Sequence, residues 1–511
     1  MLHQMERISK AFSGENVDYI TFITSLLVVV GIAFFILYDA EAAKILIGTS
    51  YDNIVNIFGP VYLILTIFSF FFLLYICISR HGNYRLGGQN QKAEFSYFSW
   101  IGMLFCSGIG GGLVYWSGVE WAYYVDIPPF GIEPGSDEAF ALATAYGLFH
   151  WGISAWSIYG IPAIALSIAF YKYKLSTLRL SSSLRGLGIK NVEESLGGRL
   201  IDFIFVIATV GAAGGTIGSY IPMLSSGFSD IFSIEKSFSL DLQVLALCVG
   251  LFGFSVYAGL TKGIKRLSDL NLLLAITFLI IILFIGPGLD ILRSSVEGFV
   301  YTVKYFWDMS TLGILEQSDF ADAWTIFYWA WWVAFGPLVA LFIARISKGR
   351  TLRELILGML IFGSLGTWLF YMILGGYSMS LEQNGIFGVM DSLKELGHAD
   401  TAISIVHTMP FDSMMLLLFC LITIIFVTTS YDSMSFVIAY HVQKNSSEQK
   451  DPDKELRLFW ALVLGILPAA LVIYSDHSVA MDLILITSLP LLFIYPLMAL
   501  AIIKDLNQEK K

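Results

Sequence analysis

The sequence predicts an all-α polytopic membrane protein, and its composition, its hydropathy and the placement of its basic residues all support this class. Only 14% of the 511 residues are charged, 56% are hydrophobic and the mean hydropathy is +0.73. Soluble globular chains are about 25% charged, so this chain has too little charge to cover a water-exposed surface. Together with a net charge of −10, this composition excludes a soluble multidomain enzyme and argues against nucleic acid as a partner.

Twelve stretches of the sequence are long and apolar enough to be transmembrane helices, which need about 20 predominantly apolar residues. These stretches lie near residues 19–38, 54–78, 96–117, 142–170, 201–222, 242–260, 270–289, 321–344, 354–376, 414–442, 458–474 and 480–503. Two shorter segments, near residues 293–308 and 386–397, are too polar to span and are interpreted as surface or re-entrant helices.

Lysine and arginine set the predicted orientation. All but five of the 30 basic residues fall on one side of the predicted spans, the exceptions being Lys44, Lys236, Arg293, Lys304 and Lys394. By the positive-inside rule both termini are cytoplasmic, which requires an even number of spans. We therefore predict a cytoplasmic N-terminal segment (1–18), one transmembrane domain (19–503) and a short cytoplasmic tail (504–511), in the inner or plasma membrane of the cell.

The predicted third span contains four glycines in five positions, Gly108, Gly110, Gly111 and Gly112. Each glycine weakens a helix by roughly 1 kcal/mol relative to alanine. Two roles can account for so many glycines in one membrane span. One is close helix packing through small residues. The other is an unwound stretch whose free backbone groups line a binding site.

Gly336 and Pro337 are expected to interrupt the predicted eighth span, because proline removes a helical hydrogen-bond donor and disturbs the preceding turn. The glycine-rich span is the third and this span is the eighth, so the two lie in corresponding positions of two five-span units. Such a pattern is typical of an inverted-repeat transporter with its site near the middle of the membrane. We predict repeats over roughly residues 96–290 and 321–503.

Six of the 12 tryptophans lie in two short runs inside predicted spans. At about 100° per residue, Trp151, Trp156 and Tyr159 share one side of the fourth span, and residues 324–332 (WTIFYWAWW) supply the other four tryptophans. Aromatic core packing is the plain alternative. A trimethylammonium group has no N–H to donate, but aromatic faces attract it by about 2 kcal/mol or more when it is desolvated. The runs therefore predict a site for such a cation.

The run 324–332, followed by residues 344–350 (ARISKGR), resembles the signature of the betaine/carnitine/choline transporter family. Residues 149–152 (FHWG) and the glycine stretch resemble two further marks of that family, and the likeness covers nearly the whole chain. The resemblance implies twelve transmembrane helices, two inverted five-helix repeats of the LeuT-like kind, and commonly a homotrimer in the lipid bilayer.

The resemblance also implies the residues of the substrate site. The aromatic positions are Trp151, Trp156, Tyr159 and Trp332, with Trp331 beside them. Phe335 stands where some members carry a further tryptophan, which puts the cytoplasmic end of the pathway in question. The glycine positions of the same site are Gly108, Gly110 and Gly112. At Gly111 many members have a larger residue, so the site here is expected to be wider or looser.

Sodium-coupled members of the family bind Na⁺ between the unwound third span and a Phe-x-x-Thr-Ser run in the tenth. The matching residues here are Phe426, Thr429 and Ser430, with Cys106 and Ile109 on the third span. Hydroxyl and carbonyl oxygens suit a hard cation, whereas hydroxyls in membrane helices often bond back to the i−4 carbonyl.

Lys265 is the residue that argues against sodium coupling. Sodium-independent exchangers of the family resemble residues 262–269 and place a basic side chain near that position. In the alternative interpretation, which we favour, Lys265 lies in a cytoplasmic loop. We expect sodium symport, with substrate/product exchange as the alternative.

The expected function is secondary active import of a trimethylammonium-type compound: glycine betaine, choline, carnitine, trimethylamine or a sulfonium analogue. A channel or an integral membrane enzyme is the alternative of another class. A channel should show rings of charge or carbonyl filters, but Glu120 and Asp432 lie toward predicted span ends. His150 is interpreted as a hydrogen-bonded packing residue rather than a proton relay. The sequence has no zinc-protease, nucleophile-elbow or P-loop motif, so we predict no enzymatic activity and no cofactor.

Overall fold

The computed structural model describes residues 11–14, 16–105, 110–175, 178–258, 261–444, 452–474 and 477–508. Helices account for most of these residues. The α-helices, in chain order, are α1 (Tyr19–Tyr38), α2 (Ala40–Ile78), α3 (Tyr97–Phe105), α4 (Gly110–Trp116), α5 (Glu120–Asp126), α6 (Asp137–His150), α7 (Ile153–Lys172), α8 (Leu196–Phe232), α9 (Phe238–Ala258), α10 (Thr261–Ile285), α11 (Gly288–Lys304), α12 (Phe306–Thr311), α13 (Ile326–Ile346), α14 (Leu352–Leu357), α15 (Ser364–Phe370), α16 (Gly376–Gln383), α17 (Val389–His407), α18 (Asp412–Val442), α19 (Lys454–Leu464), α20 (Ile466–Tyr474) and α21 (His477–Gln508). Wider π-type turns precede α13 and flank α15, at Ala321–Thr325, Gly358–Gly363 and Tyr371–Gly375.

Ten helical segments of the described chain are long and apolar enough to cross a membrane, and a bent pair makes eleven. The ten are Tyr19–Tyr38, Ala40–Ile78, Asp137–Lys172, Leu196–Phe232, Phe238–Val256, Ala321–Ile346, Leu352–Gln383, Asp412–Val442, Lys454–Ile473 and Val479–Gln508. A polytopic helical membrane protein is thereby confirmed. The predicted third span, 96–117, includes residues 106–109, which lie outside the described part, so the count of twelve and the two repeats stay predictions.

Two helices begin earlier than the hydropathy predicts. Helix α2 has 39 residues and starts at Ala40, where the side chain of Asp39 accepts a hydrogen bond from the Ala42 N–H (3.0 Å). At 1.5 Å per residue such a helix is about 58 Å long, so it extends beyond the roughly 30 Å hydrocarbon core. Helix α10 starts at Thr261, so Lys265 is helical rather than in a loop, although its side chain lies outside the described part.

The predicted seventh span ends at Ile285, and Asp269–Ile285 meets Gly288–Lys304 at an angle of 110°. Pro287 stands at the bend, where helix α11 begins, because proline cannot continue the hydrogen bonding of the preceding helix. Helix α11 occupies most of the segment that the sequence assigns to a short non-spanning helix near 293–308.

The expected interruption at Gly336 and Pro337 is wrong, because helix α13 runs unbroken through both residues. Pro337 has no N–H for the Val333 carbonyl, and the hydroxyl of Tyr495 on α21 donates to that carbonyl instead (3.3 Å). A Cβ at Gly336 would lie 2.0 Å from the Tyr495 oxygen. The Gly-Pro pair therefore forms a contact between two helices, and the helix continues because an outside donor replaces the missing one.

A break that the sequence does not predict interrupts the fourth span at Trp151 and Gly152, between α6 and α7. Trp368 Nε1 donates to the Leu148 carbonyl (2.7 Å), and the Thr367 hydroxyl donates to the Trp151 carbonyl. A Cβ at Gly152 would lie 2.2 Å from the Leu148 oxygen and 2.5 Å from Trp368 Nε1. Glycine and these two donors from a distant helix make the break feasible.

An N-terminal strap, running from Asn16 to Asp18, is fastened to the end of α18. The Asp18 N–H donates to the Val442 carbonyl (2.8 Å), and the Lys444 N–H donates to the Asn16 carbonyl (2.8 Å). Arg199 Nε donates to the buried Asp18 carboxylate (3.0 Å). The segment before the first transmembrane helix is thus joined to the end of α18 by backbone hydrogen bonds and to the start of α8 by a salt bridge.

Candidate substrate-binding site

Four aromatic rings converge inside the helix bundle, and we call them the aromatic box: Trp151, Trp156, Tyr159 and Trp332. The Trp332 centroid lies 4.6 Å from that of Tyr159, 5.8 Å from that of Trp151 and 5.9 Å from that of Trp156. All four side chains are fully buried. Packing of α13 along α7 brings Trp332 against Trp156 and Tyr159, while the break in the fourth span supplies Trp151.

Trp331 and Phe335, which were also expected at the site, lie beside the four rings of the aromatic box rather than among them. Trp331 packs edge-on against Trp151, with centroids 5.7 Å apart and planes at 83°. Phe335 contacts Trp331 at a centroid distance of 6.4 Å. Phe335 thus reaches the aromatic box through Trp331.

The glycines of α4 provide flat contact surfaces for aromatic side chains. A Cβ at Gly112 would lie 2.8 Å from the Trp151 ring, and one at Gly110 would lie 2.1 Å from the Phe426 ring. At Gly111 the nearest atom would belong to Tyr220, 2.6 Å away. Close packing is therefore an established role for these three glycines, and Gly108 lies outside the described residues.

The aromatic box is closed in this structure. A trimethylammonium group sits over ring faces, within about 6 Å of each centroid. It cannot lie between rings whose centroids are already 4.6 to 5.9 Å apart. Insertion of such a cation requires Trp332 to separate from the rings of α7.

Four polar atoms in and beside the aromatic box have no hydrogen-bond partner within the described protein. These atoms are Trp156 Nε1, Tyr159 Oη, Trp331 Nε1 and Trp332 Nε1. A buried polar group without a partner costs about 1–3 kcal/mol, and native structures contain few of them. Several N–H and O–H donors are thus available beside the rings.

Glu120, which the sequence placed toward a span end, is fully buried beside the aromatic box. Its carboxylate accepts hydrogen bonds from Tyr124 Oη (2.6 Å) and from Trp151 Nε1 (3.3 Å), and also from the hydroxyls of Tyr328 and Tyr371. Glu120 is the first residue of the seven-residue helix α5, which also ends on a carboxylate, Asp126, so the local sequence carries only a weak signal for its role. Three of its four partners lie far away in the sequence.

His150 is a hydrogen-bonded packing residue of the same cluster. Its Nδ1 lies 3.0 Å from Tyr124 Oη and its Nε2 lies 3.0 Å from Thr325 Oγ1. The ring also stacks on Tyr328, with centroids 4.7 Å apart. Both ring nitrogens are therefore satisfied by neutral hydroxyls.

The candidate sodium ligands are only partly assembled in the described residues. Phe426 packs against Gly110 of α4, which places its helix beside the glycine stretch. The Thr429 hydroxyl donates to the Ile425 carbonyl (2.8 Å), as the back-bonding alternative expects, and Ser430 is half-buried on the same helix. Cys106 and Ile109 lie outside the described residues.

The bundle of apolar helices is that of a polytopic membrane protein. The sequence model of the betaine/carnitine/choline (BCCT) transporter family matches residues 20–511. The chain therefore belongs to that family, which makes it a transporter rather than an enzyme. This result confirms the resemblance stated from the tryptophan-rich run.

Two curated relatives resemble the chain over most of its length. An uncharacterized transporter of Escherichia coli, YeaV, is 31% identical over 440 residues, which are 86% of this chain and 91% of that protein. A carnitine transporter of Acinetobacter baumannii is 30% identical over 491 residues, which are 95% of this chain and 88% of that protein.

Proposed function

We propose that this protein imports a trimethylammonium compound and binds its cationic head in the aromatic box. The observation that carries the proposal is the convergence of Trp151, Trp156 and Tyr159 on Trp332 in a fully buried position. A quaternary trimethylammonium group has no N–H to donate to a carboxylate, so several desolvated ring faces are the physical means of holding it.

The substrate's other end is proposed to carry hydrogen-bond acceptors. Trp156 Nε1, Tyr159 Oη, Trp331 Nε1 and Trp332 Nε1 are buried donors that a carboxylate or hydroxyl oxygen could satisfy. This favours carnitine or glycine betaine, followed by choline, over trimethylamine. The name of the Acinetobacter relative agrees with carnitine.

The test is uptake by purified protein in liposomes. Radiolabelled carnitine is supplied with an inward sodium gradient, and unlabelled carnitine, glycine betaine, choline, a sulfonium analogue and trimethylamine compete with it. We expect the carboxylate-bearing compounds to compete best. The proposal would be overturned if no labelled carnitine entered the liposomes and none of the five compounds bound to the protein.

Sodium symport is the proposed coupling, and it would draw on the segment of α18 that follows Phe426. The Thr428 hydroxyl is buried without a partner in the described protein, and hydroxyl oxygens suit Na⁺. The alternative is exchange, for which Lys265 is the candidate residue. Uptake that persists in potassium buffer and depends on internal substrate would favour exchange.

The proposed setting is the inner or plasma membrane, with both termini in the cytoplasm and three copies per assembly. Single cysteines introduced near each end should react with a membrane-impermeant reagent only after the cells are opened. Native mass spectrometry of the protein extracted in mild detergent tests the trimer.

A further inference from the structure

We infer that Glu120 is a positioning residue of the substrate site, which holds the indole of Trp151 in the orientation that the aromatic box needs. The effect on affinity rests on the proposed function, whereas the effect on the Trp151 side chain does not. Glu120 was not among the residues expected from the sequence, and its role follows from its contacts.

Glu120 joins four separate parts of the fold. Its partners are Tyr124 on α5, Trp151 at the break between α6 and α7, Tyr328 on α13, and Tyr371 in a π-type turn. Within the described residues no lysine or arginine forms an ion pair with it. The carboxylate is thus held entirely by neutral donors, which it gathers around Trp151.

Trp151 needs such an outside support because it lies between two helices. Its carbonyl accepts a hydrogen bond from Thr367 and its indole N–H donates to Glu120. These two bonds, at opposite ends of the residue, fix both its backbone and its ring. The ring then packs at 5.8 Å from Trp332 and 5.4 Å from Tyr371.

The hydrogen-bond pattern predicts different results for two substitutions. Trp151, Tyr328 and Tyr371 all donate to Oε2, while Tyr124 donates to Oε1. A glutamine with its carbonyl at the Oε2 position keeps the first three bonds. Its NH₂ group then faces Tyr124, whose hydroxyl can accept that bond and donate to His150 Nδ1, 3.0 Å away.

Alanine at position 120 keeps none of these bonds and leaves the buried donors of Trp151, Tyr328 and Tyr371 without their acceptor. Tyr124 can still donate to His150. If the negative charge itself were the functional feature, glutamine and alanine would be equally harmful. Comparison of Glu120→Gln with Glu120→Ala therefore separates positioning by hydrogen bonds from a role of charge.

The first measurement needs no ligand. The protein is labelled with 5-fluorotryptophan, and ¹⁹F NMR resonances are assigned with Trp151→Phe and Trp460→Phe. We expect Glu120→Ala to shift or broaden the Trp151 resonance, Glu120→Gln to leave it near its original position, and the buried Trp460 to be unaffected in both. An unchanged Trp151 resonance in Glu120→Ala would overturn the inference.

The second measurement is the dissociation constant and the KM for carnitine. We expect about 3-fold weaker binding in Glu120→Gln and at least about 10-fold weaker binding in Glu120→Ala, with KM raised more than kcat is lowered. Equal losses in the two variants would overturn positioning. The matched control is Glu193→Gln, a buried carboxylate that pairs with Arg185 (2.7 Å) outside the site.

If Glu120→Ala does not fold, Tyr371→Phe removes one bond to Oε2 and should move the Trp151 resonance in the same direction by a smaller amount. No change in that variant would also count against the inference. If the wild-type protein binds none of the compounds, the proposed function fails, and the NMR comparison still decides whether Glu120 holds Trp151.

Discussion

Gly110, Gly111 and Gly112 act through the side chains that they lack. Each lies where a Cβ would come within 2.8 Å of an aromatic side chain, namely that of Phe426, Tyr220 or Trp151. These distances are shorter than carbon atoms tolerate, so a larger residue displaces its aromatic neighbour. The glycines thereby determine where the surrounding rings can lie.

Gly112→Ala should weaken substrate binding, because the new methyl group would lie 2.8 Å from the Trp151 ring and 3.1 Å from the Trp331 ring. We expect at least about a 10-fold loss of affinity, or about 1.4 kcal/mol, measured as the dissociation constant. The matched control is Gly102→Ala in the same predicted span, where a Cβ meets nothing within 4 Å. Equal affinity in both variants would contradict the prediction.

Trp332→Ala should cost at least about 2 kcal/mol of binding free energy, roughly 30-fold in affinity. Trp332 is the ring that touches the other three members of the aromatic box, so its loss removes the centre of the site. Equilibrium binding of carnitine measures the effect. Retained affinity in a folded Trp332→Ala protein would show that the cation binds elsewhere.

The sequence could predict the four members of the aromatic box but not Glu120. Trp151, Trp156 and Tyr159 are close together in the predicted fourth span, and Trp332 belongs to a conspicuous signature, so spacing and resemblance were sufficient, although Trp151 lies at a break that the sequence did not predict. The surroundings of Glu120 depend on Tyr328 and Tyr371, which are 208 and 251 positions away. No local spacing encodes such contacts.

At the scale of the helices, two irregular positions show opposite outcomes for the same reason. Helix α13 stays continuous at Pro337 because Tyr495 supplies the missing donor. The fourth span is interrupted at Trp151 because Thr367 and Trp368 satisfy the exposed carbonyls. Local sequence shows where a helix is weak, but donors from other helices decide whether it breaks.

Tyr495→Phe should lower the stability of the protein, because it leaves the Val333 carbonyl unpaired, at a cost of about 1–3 kcal/mol. In a Pro337→Ala background the loss should be smaller, since residue 337 then supplies its own N–H to that carbonyl. Thermal unfolding of the two single variants and the double variant measures the coupling. Strictly additive effects would contradict this account of the continuous helix.

At the scale of the whole molecule, the closed aromatic box links binding to a change of conformation. The rings must separate before a cation enters, so the measured affinity is the intrinsic affinity reduced by the fraction of molecules that are open. Substitutions that alter this equilibrium can change affinity without touching the substrate.

Asp18→Ala should destabilise the whole transmembrane domain. It removes a buried carboxylate that pairs with Arg199 at 3.0 Å and lies 3.9 Å from buried Arg179, and breaking a buried pair costs about 3–5 kcal/mol. Thermal unfolding in detergent should show a clear decrease in Tm. The control is Asp126→Ala, whose exposed partner Lys394 should contribute no more than about 1 kcal/mol.

The N-terminal strap also has a consequence for how the protein is made. Asn16 and its partner Gln443 are 427 positions apart, and ribosomes add about 5–20 residues per second, so the two meet roughly 20 to 90 s after Asn16 is synthesised. Until then the backbone groups of the strap lack their partners at the end of α18, whereas the Asp18 carboxylate can pair earlier with Arg199, which follows it by 181 positions. A chain that stops before α18 is finished cannot form these hydrogen bonds, so we expect residues 16–18 to be cut by added protease more readily in such a truncated chain than in the full chain.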